Sequence, residues 1–236
     1  MSRFVHWPLL CSLLAITACD SSETQSSSAN GGTGGTGGGT ASGGATGGGG
    51  SGGGSFEVAL DWKPCPLDSK KASGSDAECA DVAVPADWDA PAGPTIQLFV
   101  KRWPVVETPA QHHFWLVQGG PGSASVEWDG RVKRLGMDLP EAQFYFLDPR
   151  GTGRSTRLGC PTQEDPKSDG GISVTLAEWP GCLDAVKAAY GDLLPYFTTT
   201  QTARDLGALV QAASGAAAKR SVMGQSYGTT LVQRWL

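Results

Sequence analysis

The chain has 236 residues, of which 34 are glycine, and a net charge of −5 at pH 7. Its 18 basic residues form no run or stripe, so neither a nucleic acid nor another polyanion is an expected partner. The length allows one or two domains, but residues 1–55 lack the composition of a core.

The N-terminus has the pattern of a secretion signal. Arg3 provides a positive start, residues 4–16 are mostly apolar, and small residues then lead to Cys19. This run is shorter than the roughly 20 residues of a transmembrane helix, which disfavours a permanent span. We predict a lipoprotein-type signal peptide over residues 1–19, with a lipid on Cys19 that anchors an exported protein to the cell envelope. An ordinary cleaved signal is the alternative.

Residues 20–55 are dominated by glycine and serine, and no apolar residue recurs with a period. Such a segment cannot bury a core. As a flexible coil it would span roughly 30 to 35 Å, enough to hold a domain clear of a membrane. We interpret it as a tether, followed by one domain over residues 56–236.

Four cysteines lie beyond the signal segment, namely Cys65, Cys79, Cys160 and Cys182. In an exported protein they are expected to form two disulfides, and four cysteines allow three pairings. We favour Cys65 with Cys79 and Cys160 with Cys182, because these pairs close the shortest loops. The competing hypothesis of a zinc site has no CxxC pair or nearby histidine to support it, so no metal or cofactor is expected.

From residue 56 onward, strand and helix patterns alternate. Residues 95–102 have the alternation of a half-exposed strand, and we expect antiparallel strands at the start of the sheet. The apolar runs 113–117 and 144–147 are typical of strands buried on both faces. Apolar offsets of three and four predict a helix over 202–214, followed by a strand at 220–223. This alternation predicts an α/β fold with a mostly parallel sheet.

The sequence GQSYG, residues 224–228, follows the last of these strands and leads into a predicted helix. A serine at a strand-to-helix turn has the setting of a nucleophile elbow. The turn is so sharp that bulky side chains two residues before and after Ser226 would collide with backbone, which accounts for Gly224 and Gly228. Taken alone, the pattern is a weak signal in a glycine-rich chain.

A second glycine-rich segment, QGGPG at residues 118–122, follows the strand at 113–117. Acyl transfer generates an oxyanion that needs fixed backbone donors, and glycines let a backbone approach a substrate carbonyl. Pro121 has no N–H group to donate. We therefore predict the amides of Gly120 and Tyr227 as the oxyanion hole. Without an elbow, an ordinary tight turn would be the better interpretation.

The segment DPRGTGRS, residues 148–155, follows the strand at 144–147. Its glycines and arginines suggest a phosphate loop, but the GxxxxGK[ST] spacing is missing. We interpret it as a structural loop beside the site, in which Asp148 and Arg150 fix backbone rather than touch substrate.

In this order, GGPG, DPRGTGRS and GQSYGT resemble the α/β-hydrolase peptidases of the proline iminopeptidase and tripeptidyl aminopeptidase kind. The resemblance extends from Trp62 through Cys79 to TIQLFVKR, where ECADVAVPADWDAP looks like the family's cysteine, VPLDY and proline pattern. It therefore spans almost everything after residue 55. The resemblance implies an α/β-hydrolase fold. It also implies that Ser226 attacks a peptide bond near the N-terminus of a peptide substrate and becomes acylated, and that water then releases the acyl group.

Two positions depart from the family pattern. Gln118 stands where many relatives have histidine, and Ala86-Asp87-Trp88 replaces the commoner Leu-Asp-Tyr. Neither position touches the predicted nucleophile.

The triad of this fold runs serine, aspartate, histidine, and residues 227–236 contain neither of the last two. His112 and His113 start the strand that ends near Gln118, roughly 15 Å from the oxyanion hole, so neither can be the base. We expect the chain to be the N-terminal half of the hydrolase domain, inactive alone, with an open apolar sheet edge that promotes aggregation.

The leading hypothesis is an exported serine exopeptidase that releases residues or short peptides from peptide N-termini. An esterase is the second, because the same elbow serves any acyl group. A non-catalytic surface lipoprotein, in which a truncated hydrolase has lost activity or acquired a binding role, is the third.

Overall fold

A computed structural model of the chain describes residues 56–104, 110–213 and 219–236. The predicted signal peptide with Cys19 and the predicted tether lie outside the described residues. The helices and strands are, in chain order, β1 (Lys63–Cys65), β2 (Ala77–Pro85), β3 (Thr95–Trp103), β4 (His112–Val117), α1 (Val132–Asp138), β5 (Ala142–Asp148), α2 (Trp179–Tyr190), α3 (Thr199–Ala213), β6 (Lys219–Gly224) and α4 (Tyr227–Trp235).

The strands form one six-stranded sheet in the order β1-β2-β3-β5-β4-β6. β1, β2, β3 and β5 pair antiparallel, and β4 pairs parallel with both β5 and β6. The predicted α/β class, flanking helices and initial antiparallel strands are confirmed. The described pairings are mixed rather than mostly parallel, because the antiparallel strands at the start of the chain make up half of the sheet.

The central strands β4 and β5 are buried on both faces, as their continuous apolar runs predict. Trp115 of β4 and Tyr145 of β5 pack with α3 and α4 on one face, whereas Leu116 and Phe144 pack with α1 on the other. Alternate residues of a strand point to opposite faces, so an uninterrupted apolar run is what two covered faces require.

Helix α3 covers the first of these faces. Leu206, Leu209 and Val210, which define its predicted apolar stripe, are each at most 2% exposed and belong to the core. Strand β6 lies at the end of the sheet order, and its residues are half-buried or exposed. None of the helices in the described ranges has the length and hydrophobicity that a bilayer crossing requires.

Both favoured disulfides are present. Cys65 is bonded to Cys79, with a Cα–Cα distance of 5.9 Å, and Cys160 to Cys182, with a Cα–Cα distance of 5.0 Å. The first joins the adjacent strands β1 and β2, in which Lys63 is opposite Cys79. The second connects α2 to the loop that follows β5.

The Cys160–Cys182 bond is expected to hold α2 in place, because Cys182 is the buried residue of this helix. Replacing both cysteines with alanine in the full-length protein should accelerate protease cleavage within residues 161–190 by at least roughly tenfold. By the chain-entropy model the loss of stability is about 3 kcal/mol. Limited proteolysis read by mass spectrometry measures the effect. The matched pair of substitutions at Cys65 and Cys79 should leave cleavage within 161–190 unchanged, and equal acceleration in both variants would contradict the expectation.

Candidate active site

Ser226 lies at a sharp turn between β6, which ends at Gly224, and α4, which begins at Tyr227. The backbone of Ser226 has φ 53° and ψ −123°. Within the described ranges, Ser226 is the single non-glycine residue with a positive φ. A non-glycine residue in this region is strained, and such strain is retained where the surrounding structure holds it. The predicted strand-to-helix placement of the serine is confirmed.

The glycines on either side of Ser226 are required by backbone contacts. A Cβ atom on Gly224 would collide with the carbonyl group of Gly228. On Gly228 a Cβ atom would lie 2.5 Å from the carbonyl oxygen of Val117, at the end of β4. The turn therefore has no room for side chains two residues before or after the serine, as the sequence predicts.

The segment QGGPG lies against this turn because β4 and β6 are adjacent and parallel, so that their carboxyl ends meet at one edge of the sheet. The contact is made by Gly119. A Cβ atom there would lie 2.5 Å from the carbonyl oxygen of Gln225, 2.8 Å from Cβ of Ser226 and 2.9 Å from the amide nitrogen of Tyr227. Gly120, the next residue, has φ +108° and turns the loop away.

Sequence reasoning singled out Gly120 and missed Gly119. The signal that points to Gly119 is the glycine pair itself, since the loop needs one glycine to approach the elbow and another to turn. The Gly119 amide donates to Oε1 of Gln118 at 3.0 Å. In the described residues, the amides of Gly120 and Tyr227 have no hydrogen-bond acceptor, which leaves them able to donate to a ligand. Their role as an oxyanion hole remains a prediction.

If Ser226 is the nucleophile, Gly119→Ala should lower kcat/KM of the full-length protein by roughly 10²-fold, because the added Cβ atom would push the loop away from the elbow. Hydrolysis of an aminoacyl arylamide measures this loss. Gly130→Ala is the matched control, since its Cβ atom would meet no heavy atom within 4 Å. Equal activity of the two variants would contradict the expected close approach.

A cavity of about 320 Å³ opens beside the elbow on the side of Tyr227. The Tyr227 hydroxyl lies 2.6 Å from Oγ1 of Thr199, where α3 begins. Among the described residues, the lining includes no carboxylate and consists of Gln118, Gly119, Pro121, Gly122, Pro149, Arg150, Thr152, Phe197, Thr198, Thr199, Thr202, Tyr227 and Leu231. Apart from Gln118 and Arg150, its side chains are hydroxyl-bearing or apolar.

Asp148 fixes backbone, as the sequence analysis predicts. One carboxylate oxygen accepts from the amide of Ser125, and the other accepts from the amide of Arg154 at 2.8 Å. The first bond holds a 3-10 helix, Ser125–Trp128, that follows the QGGPG segment. Asp148 therefore joins the loops after β4 and β5.

Arg150 also fixes structure. Its guanidinium forms two bonds of 2.7 Å with the carboxylate of Asp205 in α3, and both side chains are fully buried. It donates as well to the carbonyl oxygens of Pro85, Ala86 and Tyr196. Arg150, which is part of the cavity lining, thereby connects the end of β2, the segment before α3, and α3 itself.

Trp88, one of the two departures from the family pattern, joins this arrangement. Its Nε1 donates to Oδ1 of Asp205 at 2.8 Å. Burial raises the pKa of the Asp205 carboxyl, and the bonds from Arg150 and Trp88 oppose that shift. Asp205 was not predicted from the sequence, because nothing in the pattern of α3 distinguishes it from a solvent-exposed acid.

The two histidines lie at the opposite end of β4 from the elbow. His112 and His113 pair with Lys219 and Arg220, whereas Val117 pairs with Gly224. Burial lowers the pKa of the His113 imidazole. The exclusion of both histidines as the base is supported by this placement. In the part of the chain that the structure describes, no three histidine, cysteine or acidic side chains cluster as metal ligands.

No protein-family model matches the sequence. The chain is 30% identical to tripeptidyl aminopeptidase of Streptomyces lividans over 190 residues, which cover 74% of the chain and 35% of the relative. It is also 35% identical to carboxylesterase B of Mycobacterium tuberculosis over 105 residues, which cover 39% of the chain and 20% of the relative. The chain thus spans about a third of the length of the first relative.

Among solved structures, proline iminopeptidase of Mycobacterium smegmatis is 17% identical with a TM-score of 0.37, covering 66% of this chain and 38% of that one. The similarity to tripeptidyl aminopeptidase extends over about three quarters of the chain, and the turn between β6 and α4 has the geometry of a nucleophile elbow. The chain therefore has an α/β-hydrolase fold, and over about three quarters of its length it is similar to tripeptidyl aminopeptidase.

Proposed function

We propose that Ser226 is the nucleophile of a serine hydrolase that acts outside the cytoplasm on peptide N-termini. The observation that carries this proposal is the strained backbone of Ser226 at the end of β6, with Gly119 packed against it. A strained serine, exposed at the carboxyl edge of a parallel strand, is typical of an acyl-transfer nucleophile.

In the proposed reaction, Oγ of Ser226 attacks the scissile carbonyl carbon of the peptide. The amides of Gly120 and Tyr227 stabilise the resulting oxyanion, the amine leaves, and water hydrolyses the acyl-enzyme. The family resemblance implies an aspartate and a histidine later in the chain to accept and return the proton, and residues 227–236 contain neither. The proposal therefore concerns a protein of the length of its relatives.

Exopeptidase specificity is supported by the name of the relative that matches most of the chain, tripeptidyl aminopeptidase. The test is to incubate the full-length protein with one peptide carrying a free N-terminus and with the same peptide N-acetylated, and to identify the products by mass spectrometry. We expect short N-terminal products from the free peptide only. Equal cleavage of the acetylated peptide would refute exopeptidase action.

An esterase is the second candidate. The match to carboxylesterase B favours it, and among the described residues the cavity lining offers no carboxylate to bind an α-ammonium group. Comparing kcat/KM for an aminoacyl arylamide and for a simple aryl ester of similar size separates the two. A preference for the ester of more than roughly 10³-fold, beyond its greater intrinsic reactivity, would favour the esterase.

Export and lipid anchoring are supported by the N-terminal pattern that ends at Cys19 and by the two disulfides, which persist in oxidising compartments. Expression with an alkyne-labelled fatty acid should label the wild-type protein but not Cys19→Ser. Labelling of both proteins, or of neither, would refute a lipid on Cys19.

A further inference from the structure

The side chain of Gln118 is buried beside the elbow, 4% exposed, and both ends of its amide are bound. Its Oε1 accepts from the amide of the next residue, Gly119, at 3.0 Å. Its Nε2 donates to Oε2 of Glu127 at 2.5 Å.

Glu127 determines which way round the Gln118 amide lies. A carboxylate accepts hydrogen bonds and has none to donate, so it selects the NH₂ end of the glutamine. The carbonyl end must then face the Gly119 amide, which is held in a hydrogen bond within the protein. The next amide along the loop, that of Gly120, remains without an acceptor in the described residues.

Glu127 is itself held in place by the fold. It belongs to the 3-10 helix Ser125–Trp128, whose first amide is bound by Asp148. Just beyond this helix, Nη1 of Arg131 donates to Oε1 of Gln225 at 2.9 Å, on the elbow itself. One short segment therefore contacts both the loop that approaches Ser226 and the residue that precedes it.

We propose that Gln118 and Glu127 form a positioning pair, which withholds the Gly119 amide from the oxyanion and leaves the Gly120 amide as the donor from this loop. The proposal rests on the proposed function of Ser226. Neither side chain donates to the oxyanion in this proposal. The pair acts by setting the orientation of one peptide group.

Glu127→Gln in the full-length protein tests this, because glutamine keeps the shape of glutamate but presents either a donor or an acceptor. Glu127 is exposed, so the variant is expected to fold. We expect kcat for an aminoacyl arylamide to fall about tenfold with KM unchanged, less than the roughly 10²- to 10³-fold loss caused by removing an oxyanion donor. A peptide boronic acid, which imitates the tetrahedral intermediate, should bind more weakly by the same factor.

Glu141→Gln is the matched control, since Glu141 is exposed and lies outside this network. If Glu127→Gln equals the control in kcat and in boronic acid affinity, the positioning pair is refuted. A rise in KM without a change in kcat would refute it as well, because that result indicates lost substrate binding rather than lost stabilisation of the oxyanion.

A double-mutant cycle tests whether Glu127 acts through Gln118. In a Gln118→Met background, adding Glu127→Gln should change kcat less than twofold, whereas additive losses would refute the pair. If Gln118→Met does not fold, the single Glu127→Gln variant still decides. A wild-type protein that neither hydrolyses arylamides nor reacts with a fluorophosphonate would refute the proposed function, whereas an active wild type with an unaffected Glu127→Gln variant refutes the pair alone.

Discussion

Ser226→Ala is expected to lower kcat of the full-length protein by at least roughly 10⁴-fold and to abolish labelling by a fluorophosphonate. Loss of the nucleophile in serine hydrolases costs on the order of 10⁶ in kcat, because no other group forms the acyl-enzyme. Hydrolysis of an aminoacyl arylamide and labelling followed by peptide mapping measure the two effects. The substitution keeps a Cβ atom at φ 53°, so the backbone strain and the fold should be unchanged.

Ser173→Ala is a suitable control, because this serine is exposed and its side chain has no hydrogen-bond partner in the described residues. It should retain the activity and the labelling of the wild type. If Ser226→Ala keeps its labelling, another residue is the nucleophile and the assignment of the elbow as the catalytic turn is wrong.

Asp205→Ala should lower the free energy of unfolding of the full-length protein by about 3 to 5 kcal/mol. The variant leaves the guanidinium of Arg150 fully buried without its carboxylate partner, and it also removes the acceptor of Trp88 Nε1. An uncompensated buried charge is among the most destabilising changes available in a protein interior. Urea denaturation followed by tryptophan fluorescence measures the loss.

The control for this prediction is a second aspartate that pairs with an arginine at the surface. Asp89 lies 2.7 Å from Nη1 of Arg204, and both side chains are largely exposed. Asp89→Ala should therefore cost only about 0 to 1 kcal/mol. Losses of equal size in the two variants would show that burial of the Arg150–Asp205 pair does not increase its contribution to the free energy of unfolding.

The geometry of Ser226 was predictable because its causes are local. The glycines two residues before and after Ser226 are required because a Cβ atom at either position would collide with nearby backbone. Both lie in the same short turn, so their spacing is visible in the sequence. The same holds for the two buried strands, where a continuous apolar run requires two covered faces. The preference for the two disulfides also rested on sequence separation, since loops of 14 and 22 residues close most readily.

From the sequence, the loop residue that contacts the elbow could be assigned only to the pair Gly119 and Gly120. The sequence pattern does not distinguish Gly119 from Gly120. The positions of β4 and β6 determine that Gly119 is the one that contacts the turn at Ser226 and Tyr227. Gly120 was predicted as a donor because an oxyanion needs fixed backbone amides and Pro121 has no N–H group. In the structure the amide of Gly119 donates to Oε1 of Gln118, whereas the amide of Gly120 has no acceptor in the described residues.

By itself, the amino-acid sequence determined the class of the fold, the strands β3, β4, β5 and β6, the helix α3, and the serine at the turn between β6 and α4. These features follow from periodicity and from steric limits that act over a few residues. Only the tertiary structure decided that Arg150 meets Asp205, 55 positions away, and that Gln118 meets Glu127. Such contacts depend on the sheet order and on which loops emerge side by side, and neither is encoded in the spacing of the residues concerned.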